Sequence, residues 1–284
     1  MPHFLIVQSE TPNERTERRK RAGKSAGETF AATLRQLEPA CSIDICQPAE
    51  DEGIDPSKDL CRYDAIFLSG SPLHVYRESS ETIRQIAFMR QVFSSGTPSF
   101  GACAGLQIAT AAAGGTVRKI PHQDMEAGVA RRITATKEGR THPLLAGRPT
   151  TWDALAFHGD EVEELPQGST RLAGNASSRV QAAEIRFDRG IFWGVQYHPE
   201  LALAEIAIAL RTKAPDIVRM GLAEKEADVE EHADRLQKLH ISPCDRSARW
   251  MLGIDDEVAD ERLRRRELIN FIRAVPTIDR RPGR

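Results

Sequence analysis

The 284-residue chain has no long hydrophobic run. No segment approaches the roughly 20 apolar residues that a helix needs to cross a bilayer. The first apolar run, residues 3–7, is followed at once by polar residues, which predicts a first strand rather than a signal peptide. We therefore expect no membrane association.

Cysteine is scarce, and neither charge is in excess. The five cysteines, Cys41, Cys46, Cys61, Cys103 and Cys244, are scattered and contain no C-x-x-C pair. This argues against a structural zinc site and is typical of a reducing cytoplasm, the location we expect. Lysine and arginine number 39 against 41 acidic residues, so the chain has no general attraction to nucleic acid. A small-molecule substrate or a protein partner is the better expectation.

The glycine-rich loops that bind nucleotides are also missing. Neither G-x-x-x-x-G-K-[ST] nor G-x-G-x-x-G follows a predicted strand, so we predict no ATP or NAD chemistry, no cofactor and no metal. The run 15–21 (RTERRKR) is locally basic, but it contains Glu17 and no apolar periodicity. We interpret it as a solvated surface loop rather than an anion site.

Strand-like and helix-like segments alternate over about the first 115 residues. Short apolar runs lie at 3–7, 41–46, 63–68 and 98–102. Such alternation predicts an α/β fold with a mostly parallel sheet flanked by helices. Its binding crevice is expected at the carboxyl ends of the strands, where residue 103 lies.

The pattern changes twice further along the chain. Between 116 and 200 the apolar runs are short and strand-like, which predicts added strands in the same domain. After residue 200, apolar residues recur at helical spacing. We therefore predict one α/β domain over 1–200 and a C-terminal helical extension over 201–284 that packs on it.

Cys103 lies between a predicted strand and a predicted helix, with small residues on both sides, in the segment Gly101-Ala102-Cys103-Ala104-Gly105. This is the pattern of a nucleophile elbow, in which small neighbours permit a tight turn. The N–H groups at the helix start favour a thiolate and can bind a developing oxyanion. On this pattern alone, a buried apolar cysteine is an equal alternative.

A second apolar strand ends in His198-Pro199-Glu200. Residues two apart on a strand point the same way, so the imidazole and the carboxylate can approach the same region. The carboxylate can fix the imidazole tautomer and stabilise its protonated form, which supports a thiolate on Cys103. The alternative is a strand that ends by chance in polar residues.

The two segments 101–107 (GACAGLQ) and 194–200 (GVQYHPE) together resemble the class I glutamine amidotransferases, also called triad or Cys-His-Glu amidotransferases. The segment 157–160 (FHGD) is similar to a loop of the branch near the amidotransferase part of GMP synthase. The resemblance extends from about residue 4 to residue 200. It implies a flavodoxin-like α/β fold, with residues 1–200 as the catalytic domain.

The resemblance also implies a mechanism. Cys103 attacks the side-chain amide of glutamine or of a γ-glutamyl amine and forms a γ-glutamyl thioester. His198 moves the proton between the thiol, the leaving amine and water, and Glu200 orients His198. The backbone N–H groups of Ala104 and Ser71 are the implied oxyanion donors.

Further positions match those that hold the substrate in the family. They are Gly70, Gln107, Gly159 and Asp160, which would bind the charged groups of the glutamyl moiety. His158, within the same loop, is interpreted as a loop-shaping residue, with a second base as the alternative. The remaining histidines have no metal-ligand spacing.

The chain departs from the family pattern at two positions. Ser71 occupies a turn position that is commonly glycine, and Ala104 replaces a larger residue. A backbone position that requires positive φ tolerates serine less well than glycine, by roughly 1 kcal/mol. Together these changes favour a leaving group larger than ammonia.

Three functions remain open at this point. The first is a self-contained hydrolase that releases glutamate and ammonia or an amine. The second is a glutaminase subunit that delivers ammonia to a separate synthetase, and the third is a non-catalytic regulatory homologue. Apart from a small-molecule substrate, a synthetase or a second copy of this chain is the expected partner.

Overall fold

The computed structural model describes residues 1–50, 60–121 and 125–278. The strands are β1 His3–Val7, β2 Ser42–Cys46, β3 Ala65–Leu68, β4 Ser99–Ala102, β5 Thr116–Lys119, β6 Glu126–Ala135, β7 Thr151–His158, β8 Asp160–Glu164, β9 Ser169–Gly174, β10 Ala182–Phe187 and β11 Gly190–Val195. The first helices are α1 Pro12–Ala22, α2 Ala26–Leu37, α3 Ser80–Ser95 and α4 Ala104–Ala112. The later helices are α5 Leu203–Thr212, α6 Ala214–Arg219, α7 Glu226–Ile241, α8 Arg246–Leu252, α9 Asp256–Ala259, α10 Glu261–Arg264 and α11 Arg266–Ala274. No helix in these ranges has the length and apolar composition that a membrane crossing requires.

Within the described residues, nine strands form one sheet in the order β2-β1-β3-β4-β11-β10-β9-β6-β7. The strands from β2 to β11 pair in parallel, and those from β11 to β7 pair antiparallel. β5 and β8 form a separate antiparallel ribbon. The predicted α/β fold is confirmed, with a parallel half and an antiparallel half made from 126–187.

Strands β1, β3, β4 and β11 are buried on both faces, which explains their continuous apolar runs, whereas the edge strand β2 is partly exposed. In β1, Phe4 and Ile6 join the core on one face, whereas Leu5 and Val7 join the core on the other. α2 covers the first face and α3 and α4 cover the second, where they contribute buried residues to the respective cores. The sheet therefore holds the carboxyl ends of β1, β3, β4 and β11 at one rigid edge.

The helices after residue 200 pack against the sheet. α11 places Phe271 in the first core, with its ring centroid 5.4 Å from that of Phe67 and 5.5 Å from that of Phe100. α5 and α7 form a further core that includes Leu155 of β7. The helical C-terminal region is thus present. The domain boundary at residue 200 stays a prediction, and residues 279–284 lie outside the described residues.

A buried ion pair anchors α11 to the rest of the fold. Arg148 Nε and Glu267 Oε1 are 2.7 Å apart, and both side chains are essentially inaccessible to solvent. The hydroxyl of Tyr197 donates to the same carboxylate oxygen at 2.8 Å. The segment that precedes His198 is therefore tied directly to the C-terminal helix.

The predicted surface loop at 15–21 is wrong, because these residues belong to α1. The helix begins with a capping box in which Thr11 and Glu14 bond each other's backbone N–H groups. Glu17 then pairs with Lys20 and Arg21 on the exposed face. Capping and side-chain pairs stabilise this helix without the apolar stripe that would have revealed it.

Candidate active site

Cys103 lies at the turn between β4 and α4, as the sequence predicts. Its N–H donates to the carbonyl of Val195 at 2.8 Å, and its φ of 53° is positive, which is rare for a residue other than glycine. The turn is tight: a Cβ on Gly101 would lie 2.9 Å from the carbonyl carbon of Gly105, and one on Gly105 would lie 2.8 Å from the carbonyl oxygen of Leu68. The two glycines therefore permit the strained elbow that presents the thiol.

His198 and Glu200 face each other beyond the end of β11. Nδ1 of His198 is 2.7 Å from Oε1 of Glu200, and both residues are buried. The backbone fixes this pair, because the N–H of His198 donates to Leu155 and the carbonyl of Glu200 accepts from Thr33 of α2. The imidazole is therefore held from one side by its carboxylate.

The electrostatics of His198 reflect its two neighbours. Burial alone would lower its pKa, but the carboxylate of Glu200 and the sulfur of Cys103 outweigh burial and raise the pKa to about 10. An imidazole with this pKa is protonated at neutral pH. The arrangement can thus hold a positive charge beside the sulfur.

Gly70 brings the turn after β3 against the same two side chains. A Cβ at Gly70 would lie 2.9 Å from Cε1 of His198 and 3.7 Å from Cβ of Cys103. Ser71 follows, and its Oγ accepts from the N–H of Leu73 at 2.9 Å. In the described ranges Ser71 is not among the non-glycine residues with positive φ, so serine is accommodated here without strain.

The implied oxyanion donors flank the thiol. Ala104 is the first residue of α4, and an N–H at that position has no partner within its own helix. Ser71 directly follows Gly70, whose close approach to Cys103 is given above. Ala104 therefore follows Cys103 directly, and Ser71 follows the glycine that approaches it; their role as oxyanion donors stays a prediction.

Gln107, Gly159 and Asp160 form a connected set near the thiol. The N–H of Gln107 donates to the carbonyl of Cys103 at 3.2 Å, and its side-chain amide donates to the carbonyl of Asp160 at 3.0 Å. The carbonyl of Gly159 accepts from Ile120 at 2.9 Å. The Gln107 amide is therefore engaged with protein groups and holds the loop.

Two residues at this edge had no predicted role. Nδ1 of His74 is 2.7 Å from Oδ2 of Asp160, and Oε1 of Gln196 accepts from Gln107 at 3.2 Å. Gln196 and His198 are two residues apart just beyond the end of β11, a spacing that predicts a shared side in extended chain. His74 has no such signal, because its partner is far away in sequence.

Both ring nitrogens of His158 contact polar groups of the protein. Its ring nitrogens lie 2.9 Å from the carbonyl of Asp160 and 2.9 Å from Oε2 of Glu126. Burial would raise the pKa of Glu126, but His158, Asn175 and Gln181 bond its carboxylate and lower the pKa. These contacts fit a loop-shaping role better than a second base.

This arrangement coincides with a match to a known family. A model described as glutamine amidotransferase class-I matches residues 22–210. The chain belongs to the class-I glutamine amidotransferase family. The predicted family and the predicted amide-hydrolysing enzyme of the glutamine amidotransferase type are therefore confirmed.

This amidotransferase is similar to one relative over nearly its whole length and to others over about half of it. It is 33% identical over 286 residues to a γ-glutamyl-L-1-hydroxyisopropylamide hydrolase of Pseudomonas sp., a match that covers 99% of this chain and 96% of that protein. It is 37% identical over 140 residues to a glutamine-hydrolyzing GMP synthase of Wolinella succinogenes, which covers 49% of this chain and 25% of that protein. The first match includes the C-terminal helices.

Solved structures show the same fold for the amidotransferase. A glutamine amidotransferase of Thermotoga maritima superposes with a TM-score of 0.66 at 14% identity, covering 96% of this chain and 97% of that one. A glutamine amidotransferase of Methylobacillus flagellatus gives 0.63 at 16% identity, covering 100% and 97%. At these identities the likeness concerns the fold alone.

Proposed function

We propose that this chain hydrolyses the γ-amide of a γ-glutamyl amine or of glutamine, through a γ-glutamyl thioester on Cys103. The assembled set of Cys103, His198 and Glu200 carries the proposal. The co-linear match to a γ-glutamyl amide hydrolase over nearly the whole of both chains supports the substrate class.

The chemistry follows from the geometry around the thiol. The sulfur of Cys103 attacks the amide carbon, so a C–S bond forms and the carbonyl oxygen becomes an oxyanion. His198 carries the proton that leaves the thiol and delivers it to the departing nitrogen as the C–N bond breaks. Water then attacks the thioester with His198 as base, which releases glutamate and restores the thiol.

The supporting roles also follow from the described contacts. Glu200 keeps the imidazole oriented and stabilises its protonated form through the 2.7 Å bond to Nδ1, so His198 can gain and lose a proton during the cycle. The N–H groups of Ala104 and Ser71 stabilise the oxyanion, helped by the positive end of the α4 dipole.

Substrate selection occurs beside the thiol. Gly70 leaves room for the substrate between His198 and Cys103. The loop of Gly159 and Asp160, which Gln107 holds, binds the charged end of the glutamyl group. The small side chain of Ala104 leaves space for a leaving amine larger than ammonia.

Delivery of ammonia to a separate synthetase is the second candidate. The match to a glutamine-hydrolyzing GMP synthase favours it, but that match covers only 49% of this chain. The match to the hydrolase covers 99% and includes the helices after residue 200. We therefore place the stand-alone hydrolase first and the glutaminase subunit second, with the cytoplasm as the proposed location. A regulatory homologue is least favoured, because the triad is intact.

Glutamate release by the isolated chain tests the proposal. The purified protein is assayed with glutamine and with a panel of γ-glutamyl amines, among them γ-glutamyl derivatives of amino alcohols. We expect turnover without a partner, with kcat/KM for at least one amine above that for glutamine. Release that requires an added synthetase would instead favour the subunit.

Matched cysteine variants test the nucleophile. Cys103→Ala should abolish turnover, whereas Cys244→Ala, which removes an exposed free cysteine, should retain it. Intact-mass analysis during turnover should detect a γ-glutamyl adduct on the wild type and none on Cys103→Ala. Retained activity in Cys103→Ala would remove the mechanism.

A further inference from the structure

A cavity away from the thiol of Cys103 lies between the antiparallel half of the sheet and the β5–β8 ribbon. Its volume is about 700 Å³, within the usual range for small-molecule sites. Its lining includes Arg118, Arg132, Thr134, Arg171, Asn175 and Arg179. None of the residues that we place at the thiol lines it, so it is a separate site.

The cavity carries uncompensated positive charge. Arg118 is neutralised by Glu161 and Glu163, at 3.1 Å and 2.9 Å. Arg132, Arg171 and Arg179 pair with no carboxylate in the described part of the chain. Many other exposed arginines do pair, as Arg211 does with two acids on α7. Three unpaired guanidinium groups around one cavity favour the binding of an anion.

One of these arginines is placed by an irregularity in β6. Arg131 and Arg132 together oppose the single residue Asp153 of β7, which makes a β-bulge. Arg132 has a φ of 52°, which is unfavourable for its side chain. The carboxylate of Asp153 holds the bulge through Arg131 and the N–H of Arg132. A bulge re-aims a side chain, and here it adds Arg132 to the cavity lining.

The loop that carries Asn175 is held in place before any ligand binds. The side-chain amide of Asn175 donates to Glu126 at 2.8 Å and to the carbonyl of Arg131 at 3.0 Å. Its oxygen accepts from the N–H of Ser178 at 2.8 Å. The loop therefore keeps its shape, which lowers the entropic cost of binding.

We propose that this cavity binds a small polyanion with two or more phosphate or carboxylate groups. The planar guanidinium presents paired N–H donors that match the oxygens of either group. Three unpaired arginines require more than one negative charge for neutralisation, so a monoanion does not satisfy the site. The site is independent of the proposed function, because its lining contains no residue of the triad.

Calorimetric titration of the full chain tests the site. Pyrophosphate and citrate serve as the two probes, with acetate as the monoanion control, all at equal ionic strength. We expect one probe or both to bind with one-to-one stoichiometry and to raise Tm, and acetate to do neither. Pyrophosphate alone would identify a phosphate ligand and citrate alone a polycarboxylate, and either result supports the site.

Arginine variants locate the binding. Arg171→Gln combined with Arg179→Gln should weaken the affinity at least tenfold, and Arg132→Gln alone should weaken it severalfold. Arg246→Gln, at an exposed arginine outside the cavity, is the matched control and should bind like the wild type. Tm without ligand reports whether each variant folds.

Three results would overturn the proposal. The first is that neither polyanion binds, and the second is that the double variant binds as tightly as the wild type. The third is an equal loss in Arg246→Gln, which would indicate general charge screening rather than a built site.

Discussion

Substitution of Gly70 by alanine tests the geometry of the site most directly. The added Cβ would lie 2.9 Å from Cε1 and 3.6 Å from Nδ1 of His198. Carbon atoms in contact prefer about 3.5–4.0 Å, so residue 70 and the imidazole must separate by about 0.6–1 Å. The ring cannot turn away freely, because Glu200 holds Nδ1 at 2.7 Å.

The expected loss follows from that displacement. A misplacement of about 1 Å in a reacting group costs on the order of 100-fold in rate. This corresponds to about 2.7 kcal/mol of transition-state stabilisation. We therefore expect Gly70→Ala to lower kcat for glutamate release by about 100-fold. Its Tm should stay close to that of the wild type, because the added methyl contacts side chains of the site and not the core.

Two measurements distinguish a displaced imidazole from a change in substrate binding alone. Steady-state kinetics give kcat and KM, and iodoacetamide labelling, quantified on the peptide that contains Cys103, reports the thiolate without a glutamyl substrate. Both kcat and the labelling rate should fall. Gly221→Ala is the control: its Cβ meets open space, but its φ of +75° makes alanine strained, so Tm should fall while kcat is kept. A Gly70→Ala enzyme with kcat within threefold of the wild type, or one changed only in KM, would refute the reasoning.

Three further substitutions have defined outcomes. Glu200→Gln removes the carboxylate that raises the pKa of His198 to about 10. The pH at which kcat/KM falls on the alkaline side should therefore decrease by at least one unit. An unchanged alkaline pKa in the kcat/KM profile would contradict the role of Glu200 in raising the pKa of His198. Ser71→Gly removes the Oγ that accepts a hydrogen bond from the N–H of Leu73, which contributes about 1 kcal/mol to stability. Tm in a thermal scan should therefore fall by roughly 2–4 °C. An unchanged Tm would show that this hydrogen bond is not formed. Glu267→Gln removes the main carboxylate partner of the buried Arg148 but leaves its ion pair with Glu257, so the free energy of unfolding measured with urea should fall by roughly 2 kcal/mol. A loss below about 0.5 kcal/mol would contradict a contribution of this ion pair to stability.

The raised pKa of His198 also makes stability depend on pH. The pKa rises from 6.5 to about 10 on folding, so the native state binds a proton more tightly than the unfolded chain. The resulting stabilisation is fully present below pH 6.5 and is lost as the pH rises through about 10. Glu200→Gln should flatten this dependence in urea titrations across that window, and a wild-type profile that does not fall between these values would contradict the shift.

Features that depend on local sequence were predictable. The elbow at Cys103 could be inferred because a tight turn needs small neighbours, and Gly101 and Gly105 supply them within five residues. The contact of His198 with Glu200 was expected because the two residues are two apart after an apolar strand, although β11 ends at Val195 and backbone contacts to Leu155 and Thr33 hold the pair beyond it. Short apolar runs that are separated by helical segments predicted the parallel half of the sheet. A strand buried on both faces has apolar residues at successive positions, not at every second one.

Features that depend on polar contacts could not be predicted from the sequence. α1 has no apolar stripe, and Thr11 and Glu14 stabilise it by capping instead. The contact of His74 with Asp160 joins residues far apart in sequence, so no spacing reveals it. The same holds for Arg148 and Glu267, whose ion pair forms only when α11 docks. Periodicity reports which residues avoid water, but it does not report which polar groups meet.

The position of Phe271 affects how the chain folds. The ring of this residue packs against both Phe67 and Phe100 of the central strands. α2 covers part of the sheet face that carries these two rings, but during synthesis the part that Phe271 covers stays exposed until α11 has left the ribosome. Contacts between such distant segments slow folding, and uncovered apolar strands favour aggregation. A premature stop before Phe271 therefore removes part of the core, and the nascent chain needs α11 to complete it.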